Sequence, residues 1–316
     1  MNEEMLVMPI EVARELQRVI LPIIATGTRD GSFIPVGTAF IIRALGRQAL
    51  LLSAAHNFTH IAEKIDRPFD THHPSTPLEF RVRPNGINLK ETKIQAFFRE
   101  RDGRGYFAQI LHAYINTPGD IAACLAHFED DVPANVLFDK QLAIDTTRPT
   151  TETPIISAGY PSGLMHYNVD YEKNIATATY NHKLEWRHGT VHEVFSAGAP
   201  GKAWPSFRCN TPFDAGMSGG PIINKTFDNE VVACGVICSD WSEDSSAMMR
   251  GSGLSLASML WTAMGIRITA ASLDNVDGPR LLDLQRQGHI DDRGKASDHI
   301  TLIPGNGEDD FRMVYR

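Results

Sequence analysis

The sequence predicts an all-β protein made of two β-rich halves, framed by a short N-terminal helix and a C-terminal extension. Three observations carry that prediction. From residue 27 onward, short apolar runs are separated by Gly, Pro and Asn, the texture of a sandwich or barrel. Residues 128–154, with Asp130, Asp131, Pro133, Arg148, Pro149 and Pro154, lack sustained periodicity and divide the chain into two such sets. The 316 residues, 42% hydrophobic and 22% charged, suffice for two domains with sizeable cores and exclude collagen-like, low-complexity and wholly disordered chains.

The elements follow in order. Pro9, at a favourable first helical position, precedes Val12, Leu16 and Val19 at helical spacing, which predicts one amphipathic helix within residues 1–20. A first β domain is expected over 21–130, with strands at 33–42, 49–53, 79–82, 106–114 and 121–126. A linker spans 131–153, and a second β domain spans 154–265. Its strands are expected at 154–159, 175–180, 191–196, 221–223, 231–239 and 254–257. The halves share texture but no residue-level repeat. In the extension, 266–316, Leu281, Leu282 and Leu284 predict a short helix, and three roles stand open for it: covering a cleft, docking a partner or capping the second domain, with packing support the default.

Composition also bounds function. The net charge is −8 with no basic patch, which argues against nucleic-acid binding. No apolar run reaches the length of a membrane span, and the glutamates in MNEEMLVMPIEVARELQ stand where a secretory signal would be positive, so a cytoplasmic location is expected. Cys124, Cys209, Cys234 and Cys238 are too few and too irregular for a disulfide scaffold and are read as reduced, buried thiols. Their spacing lacks the close pairs of a zinc site, and no metal or organic cofactor is expected.

Three signatures point to acyl-transfer chemistry. Residues 214–222 read DAGMSGGPI, a serine among glycines. Nucleophilic hydrolysis needs a hydroxyl exposed on a tight turn beside backbone N–H groups aimed at the developing oxyanion, and glycines allow both. Ser218 is the expected nucleophile, with the N–H groups of Gly216 and Ser218 as the oxyanion hole. Residues 51–57 read LLSAAHN, which sets His56 just beyond an apolar strand as a base. In TPGDIAACLA, Asp120 opens an apolar strand, where a lone carboxylate is costly unless paired; an imidazolium at His56 is the natural partner.

The order His56, Asp120, Ser218 differs from the orders of the α/β-hydrolases and the subtilisins and is that of chymotrypsin-like enzymes. With GTAF (37–40), SAAH (53–56), GDIA (119–122), AGYP (158–161), GMSGGP (216–221) and CGVICS (234–239), the sequence resembles the chymotrypsin-fold serine peptidases, more closely their bacterial and viral GxSGGP branch. The resemblance spans roughly residues 20–265. It implies two six-stranded antiparallel β-barrels with the site in the cleft between them, a protein or peptide substrate, and a substrate strand pairing with residues 235–239. It also implies a primary pocket lined by Thr211, Pro212, Phe213, Cys238, Ser239 and Asp240. Asp240 could attract a basic side chain or face solvent, so basic and small apolar preferences both stand. Asn57 replaces the cysteine that follows the histidine in secreted members, and Met217 replaces the aspartate that anchors a newly cut N-terminus in digestive ones. Low resting activity, as in regulated effectors that cleave one partner protein, is expected by the same resemblance.

Other readings are weaker. His56 and His60 have helical spacing for a zincin, but Asn57 stands where the glutamate base must be. His72 and His73 lie in a proline-containing segment that reads as a solvated loop. Asp130 and Asp131 compete with Asp120 for the acid role but form a linker charge pair. A catalytically silent peptide-binding module and an esterase are the alternatives to an endopeptidase.

Overall fold

The computed structural model describes residues 15–27, 33–58, 79–81, 92–99, 104–116, 119–134, 136–161, 165–170, 175–180, 183–199, 204–227, 230–240, 255–268, 278–304 and 311–316. Among the described residues, the first half is formed by seven strands: β1 (Ile20–Gly27), β2 (Phe33–Leu45), β3 (Gln48–Ala54), β4 (Glu79–Arg81), β5 (Thr92–Arg99), β6 (Gly105–Asn116) and β7 (Ile121–Phe128). The antiparallel pairings β1–β2, β2–β3, β3–β7, β7–β6, β6–β5 and β5–β1 close a six-stranded barrel, with β4 attached to β6.

The second half contains β8 (Ala143–Ile144), β9 (Pro154–Gly159), β10 (Met165–Asp170), β11 (Ile175–Tyr180), β12 (Glu185–Phe195), β13 (Ser206–Cys209), β14 (Pro221–Asn224), β15 (Val232–Asp240) and β16 (Ser255–Met259). Here β9–β12–β13–β16–β15–β14 closes back on β9 as a second antiparallel barrel. The pair β10–β11 forms a separate hairpin, and β8 runs parallel to β15. This is the chymotrypsin-like double barrel that the sequence predicts.

Why these residues make barrels is visible in β3. Its run Ala49–Leu50–Leu51–Leu52 is apolar at every position because both faces are buried. Ala49 and Leu51 point into the first barrel with Ile41, Phe98 and Phe128, while Leu50 and Leu52 join Phe40 and Ile42 in a layer shared with the second barrel. The first barrel is plugged by Phe98, Phe128 and Phe138, with ring centroids 4.3 to 5.7 Å apart.

Several strands were not foreseen. Of the helix expected within residues 1–20, residues 15–20 lie among the described ones: Glu15 and Leu16 are helical, residues 17–19 form a turn, and β1 already begins at Ile20, a strand that the sequence does not single out within the first β domain. Pro22 disguises β1, yet it is tolerated because pairing with β5 starts only at Ile23. In β5, Ile94, Ala96 and Phe98 are buried and alternate with Lys93, Gln95, Phe97 and Arg99, a pattern that is short and blurred by Phe97. β8, β10 and the four-residue β13 are likewise not predicted, and β12 starts six residues before the expected 191: its opening EWRHGT is mostly polar and only partly buried, which hides the strand although Trp186 packs on the core.

The extension is built into the second barrel. A 3-10 helix (Leu260–Gly265) leads to α1 (Leu281–Arg286), the helix expected from its leucines, then α2 (Ala296–His299), β17 (Ile300–Pro304) and β18 (Phe311–Tyr315). Leu281, Leu282, Ile290, Ala296 and Ile300 are buried in the same cluster as Val191, Phe207 and Ile222. Asp292 ties this segment to the linker by accepting from the N–H and hydroxyl of Thr146 and from the N–H groups of Gly294 and Ala296. Burial nevertheless raises its pKa. The described part of the extension therefore packs against the second barrel and the linker.

Candidate active site

Two paired strand ends bring His56 and Asp120 together. Ala54, the last residue of β3, is the register partner of Ile121, the first of β7, so the residues just beyond these ends are neighbours. His56 Nδ1 lies 2.9 Å from Asp120 Oδ2, and the His56 backbone N–H donates to Oδ1 at 3.0 Å. Both carboxylate oxygens are thus used on one residue. Asp120 adopts φ 46°, a left-handed conformation that Asp tolerates better than most residues and that costs backbone strain. Its carbonyl accepts from the Ala55 N–H at 3.0 Å, which holds the turn.

Ser218 stands on the turn between β13 and β14. The turn is pinned to β15 by Gly219 N–H to Ile237 O (2.7 Å) and Ile237 N–H to Gly220 O (2.9 Å). Gly219 has φ 88°, and a Cβ there would lie 2.1 Å from the Thr38 carbonyl, so only glycine fits. Among the described residues, no hydrogen bond uses the N–H of Gly216 or of Ser218. The Ser218 hydroxyl donates to the Cys238 carbonyl at 3.2 Å.

These contacts enclose one small volume. Ser218 touches Cys238; the Cys238 thiol senses Asp120; Asp120 binds His56; and Asn57, next to His56, donates through Nδ2 to the Ser218 carbonyl at 2.9 Å. Burial pushes the Cys238 thiol pKa well up, and the charge of Asp120 pushes it further, so this sulfur is a neutral neighbour of the carboxylate. It also lies 2.9 Å from Ser258 Oγ. Burial likewise raises the pKa values of Cys124, Cys209 and Cys234, and all four cysteines are buried free thiols, as expected.

The residues expected to line the pocket are placed as follows. Thr211 and Phe213 are buried below the turn; Phe213 N–H donates to Ser255 Oγ on β16 at 3.0 Å. The Pro212 carbonyl accepts from Arg187 Nη1 at 2.9 Å, and Arg187 also pairs with Asp214 and with Glu185. Burial alone would lower the pKa of Arg187, but these two carboxylates outweigh it and raise it. The Ser239 and Asp240 backbones pair with Leu256 and Ser255; their side chains lie outside the described residues, as do His60, His72 and His73. Among the described residues, no group of three His, Cys, Asp or Glu side chains is arranged to hold a metal, and no helix is long and apolar enough to cross a membrane.

Sequence reasoning missed the polar lattice that joins the two barrels here. Thr38, Asn57, Tyr160 and Arg187 had no assigned role, although the first three sit in or beside the motifs GTAF, SAAH and AGYP. Ser53 Oγ donates to the Thr38 carbonyl, Tyr160 N–H donates to Thr38 Oγ1, and the Tyr160 hydroxyl donates to the Ile20 carbonyl. The short motifs that recur together in this sequence are the pieces that meet in space.

No protein-family profile matches the chain, and no curated protein matches it. Among solved structures, it is similar to the HtrA-type protease AlgW with decapeptide (13% identity, TM-score 0.42), covering 77% of this chain and 61% of that one. It is also similar to Deg5 (10%, TM-score 0.46; 79% and 88% covered) and to an inactive mutant form of Rv3671c from M. tuberculosis (12%, TM-score 0.40; 78% and 84% covered). The chain spans about 61% of the AlgW chain's length. The chymotrypsin-like fold itself follows from the two closed rings of strand pairings described above.

Proposed function

We propose that this chain is a cytoplasmic serine endopeptidase. The observation that carries this reading is the double hydrogen bond of His56 to Asp120, through Nδ1 and through the backbone N–H, beside a serine on a glycine turn. With Nδ1 committed to Asp120, Nε2 is the nitrogen that takes the Ser218 proton as the hydroxyl attacks a peptide carbonyl. His56 then returns that proton to the leaving amine, Asp120 stabilises the imidazolium, and the Gly216 and Ser218 N–H groups receive the oxyanion. Water, activated by His56, hydrolyses the acyl-enzyme. Substrate in extended form would add to β15 near Cys238. Its backbone N–H would compete for the Cys238 carbonyl and release the Ser218 hydroxyl to turn toward His56.

A second reading is a peptide-binding module without turnover. It is favoured by the Ser218 hydroxyl committing its one proton to Cys238. A fluorophosphonate probe separates the two. Stoichiometric labelling at Ser218, abolished in Ser218→Ala and accompanied by cleavage of an unstructured protein, is expected of the peptidase; peptide binding with no labelling would reject it. Labelling with hydrolysis of esters but not peptides would reassign the chain as an esterase. Mapping new N-termini in cell extract with wild type and Ser218→Ala identifies the partner protein that a regulated effector would cleave.

A further inference from the structure

The peptide units around Ser218 are held in an unusual division of labour. In the unit joining Met217 to Ser218, the Met217 carbonyl accepts from Gly220 N–H at 2.9 Å, so the Ser218 N–H points the opposite way. The units on either side are fixed at both ends. Before it, the Gly216 carbonyl accepts from Thr38 Oγ1 at 2.8 Å while Met217 N–H donates to Asp214 O at 3.0 Å. After it, the Ser218 carbonyl accepts from Thr38 N–H at 2.8 Å and from Asn57 Nδ2 at 2.9 Å, while Gly219 N–H donates to Ile237 O.

Two of these restraints are side chains of the first barrel, and both have a fixed direction. Thr38 Oγ1 accepts from Tyr160 N–H at 3.0 Å, which leaves its single proton for Gly216. Ser53 Oγ spends its proton on the Thr38 carbonyl, so it can only accept from Asn57 Nδ2, at 3.1 Å. The amide nitrogen of Asn57 is thereby turned toward Ser53 and Ser218, since the reversed amide would set oxygen against oxygen. The space for it is provided by Gly37, where a Cβ would come within 2.3 Å of the amide. Thr38 and Asn57 are both buried.

We propose that Thr38 and Asn57 are positioning residues that set the oxyanion hole from across the barrel interface. The Thr38 hydroxyl and the Asn57 amide fix the two peptide units that flank the Met217–Ser218 unit, through the carbonyls of Gly216 and Ser218, so that the Ser218 N–H, set opposite the Met217 carbonyl, keeps its direction toward the reacting carbonyl. This rests on the hydrolase reading above.

The test is the limiting first-order rate of fluorophosphonate labelling at Ser218 in the full chain, with the half-saturating concentration, the pH profile and the melting temperature measured alongside. Thr38→Val keeps the shape and the backbone donor but loses the hydroxyl. It should slow limiting labelling about 10- to 100-fold, somewhat less than loss of an oxyanion donor itself, with half-saturation and pH profile unchanged. Thr38→Ser restores the hydroxyl and should return to within about 3-fold of wild type on the same donor argument. Asn57→Asp, of the same shape, should slow labelling like Thr38→Val; if it does not fold, the Thr38 pair decides alone. Folded Thr38→Val labelled at the wild-type rate overturns the inference, as does Thr38→Ser as slow as Thr38→Val. Wild type that fails to label removes the hydrolase reading and this inference with it.

Discussion

The two barrels differ in what closes them. The first encloses its own core, sealed by Phe98, Phe128 and Phe138, and presents His56 and Asp120 from paired strand ends. The core of the second is continuous with the layer between the barrels and with the extension, and it presents Ser218 on a turn held by backbone bonds. His56 and Asp120 therefore sit on a barrel with its own core. The Ser218 turn is completed by Thr38 and Asn57 of the first barrel, which makes the interface part of the candidate site.

This contrast can be broken or sharpened experimentally. Asp120→Asn should leave the first barrel folded and lower turnover about 10⁴-fold, because the amide presents the wrong hydrogen-bonding pattern to Nδ1. Peptide hydrolysis with parallel melting curves checks it, and an unchanged rate would detach the pair from function. Next in size, Phe40→Ala and Phe128→Ala should each cost about 3–5 kcal/mol in urea unfolding. Only Phe40→Ala, in the shared layer, should also lower activity of the folded protein; equal activity in the two variants would mean that the interface does not support the site.

Leu281→Ala should cost about 2–5 kcal/mol if the extension is core rather than appendage, read as a lower unfolding midpoint.

The smallest effect concerns Asp292. Because burial raises its folded pKa, the native state binds a proton more readily than the unfolded chain, and its contribution to stability grows as pH falls through the raised value and fades as pH rises. The melting-temperature gap between wild type and Asp292→Asn should widen on acidification through that range. A narrowing gap would mean that its four hydrogen bonds outweigh burial.

Much of this was legible along the chain, for identifiable reasons. Glycine-rich GMSGGP announces its turn because only glycine can adopt that backbone, and Asp120 announces a partner because a carboxylate at an apolar strand start is costly alone. The strands at 154–159 and 175–180 were found at their observed bounds because turn residues flank them. β13 escaped notice because four residues carry too little periodicity, and β1 because proline reads as a breaker. Arg187 escapes local reading because, beside the nearby Glu185, its partners Pro212 and Asp214 are distant along the chain.

The sequence by itself determined the β class, the chemistry available to His56, Asp120 and Ser218, and the thiols' withdrawal into the core, since each follows from the properties of a residue and its immediate neighbours. Only the tertiary structure decided that Thr38 and Asn57 hold the carbonyls of Gly216 and Ser218 and that the extension packs into the core of the second barrel. Those are contacts between surfaces that barrel closure brings together, and hydrogen bonds of this kind depend on position in space, which local pattern does not encode.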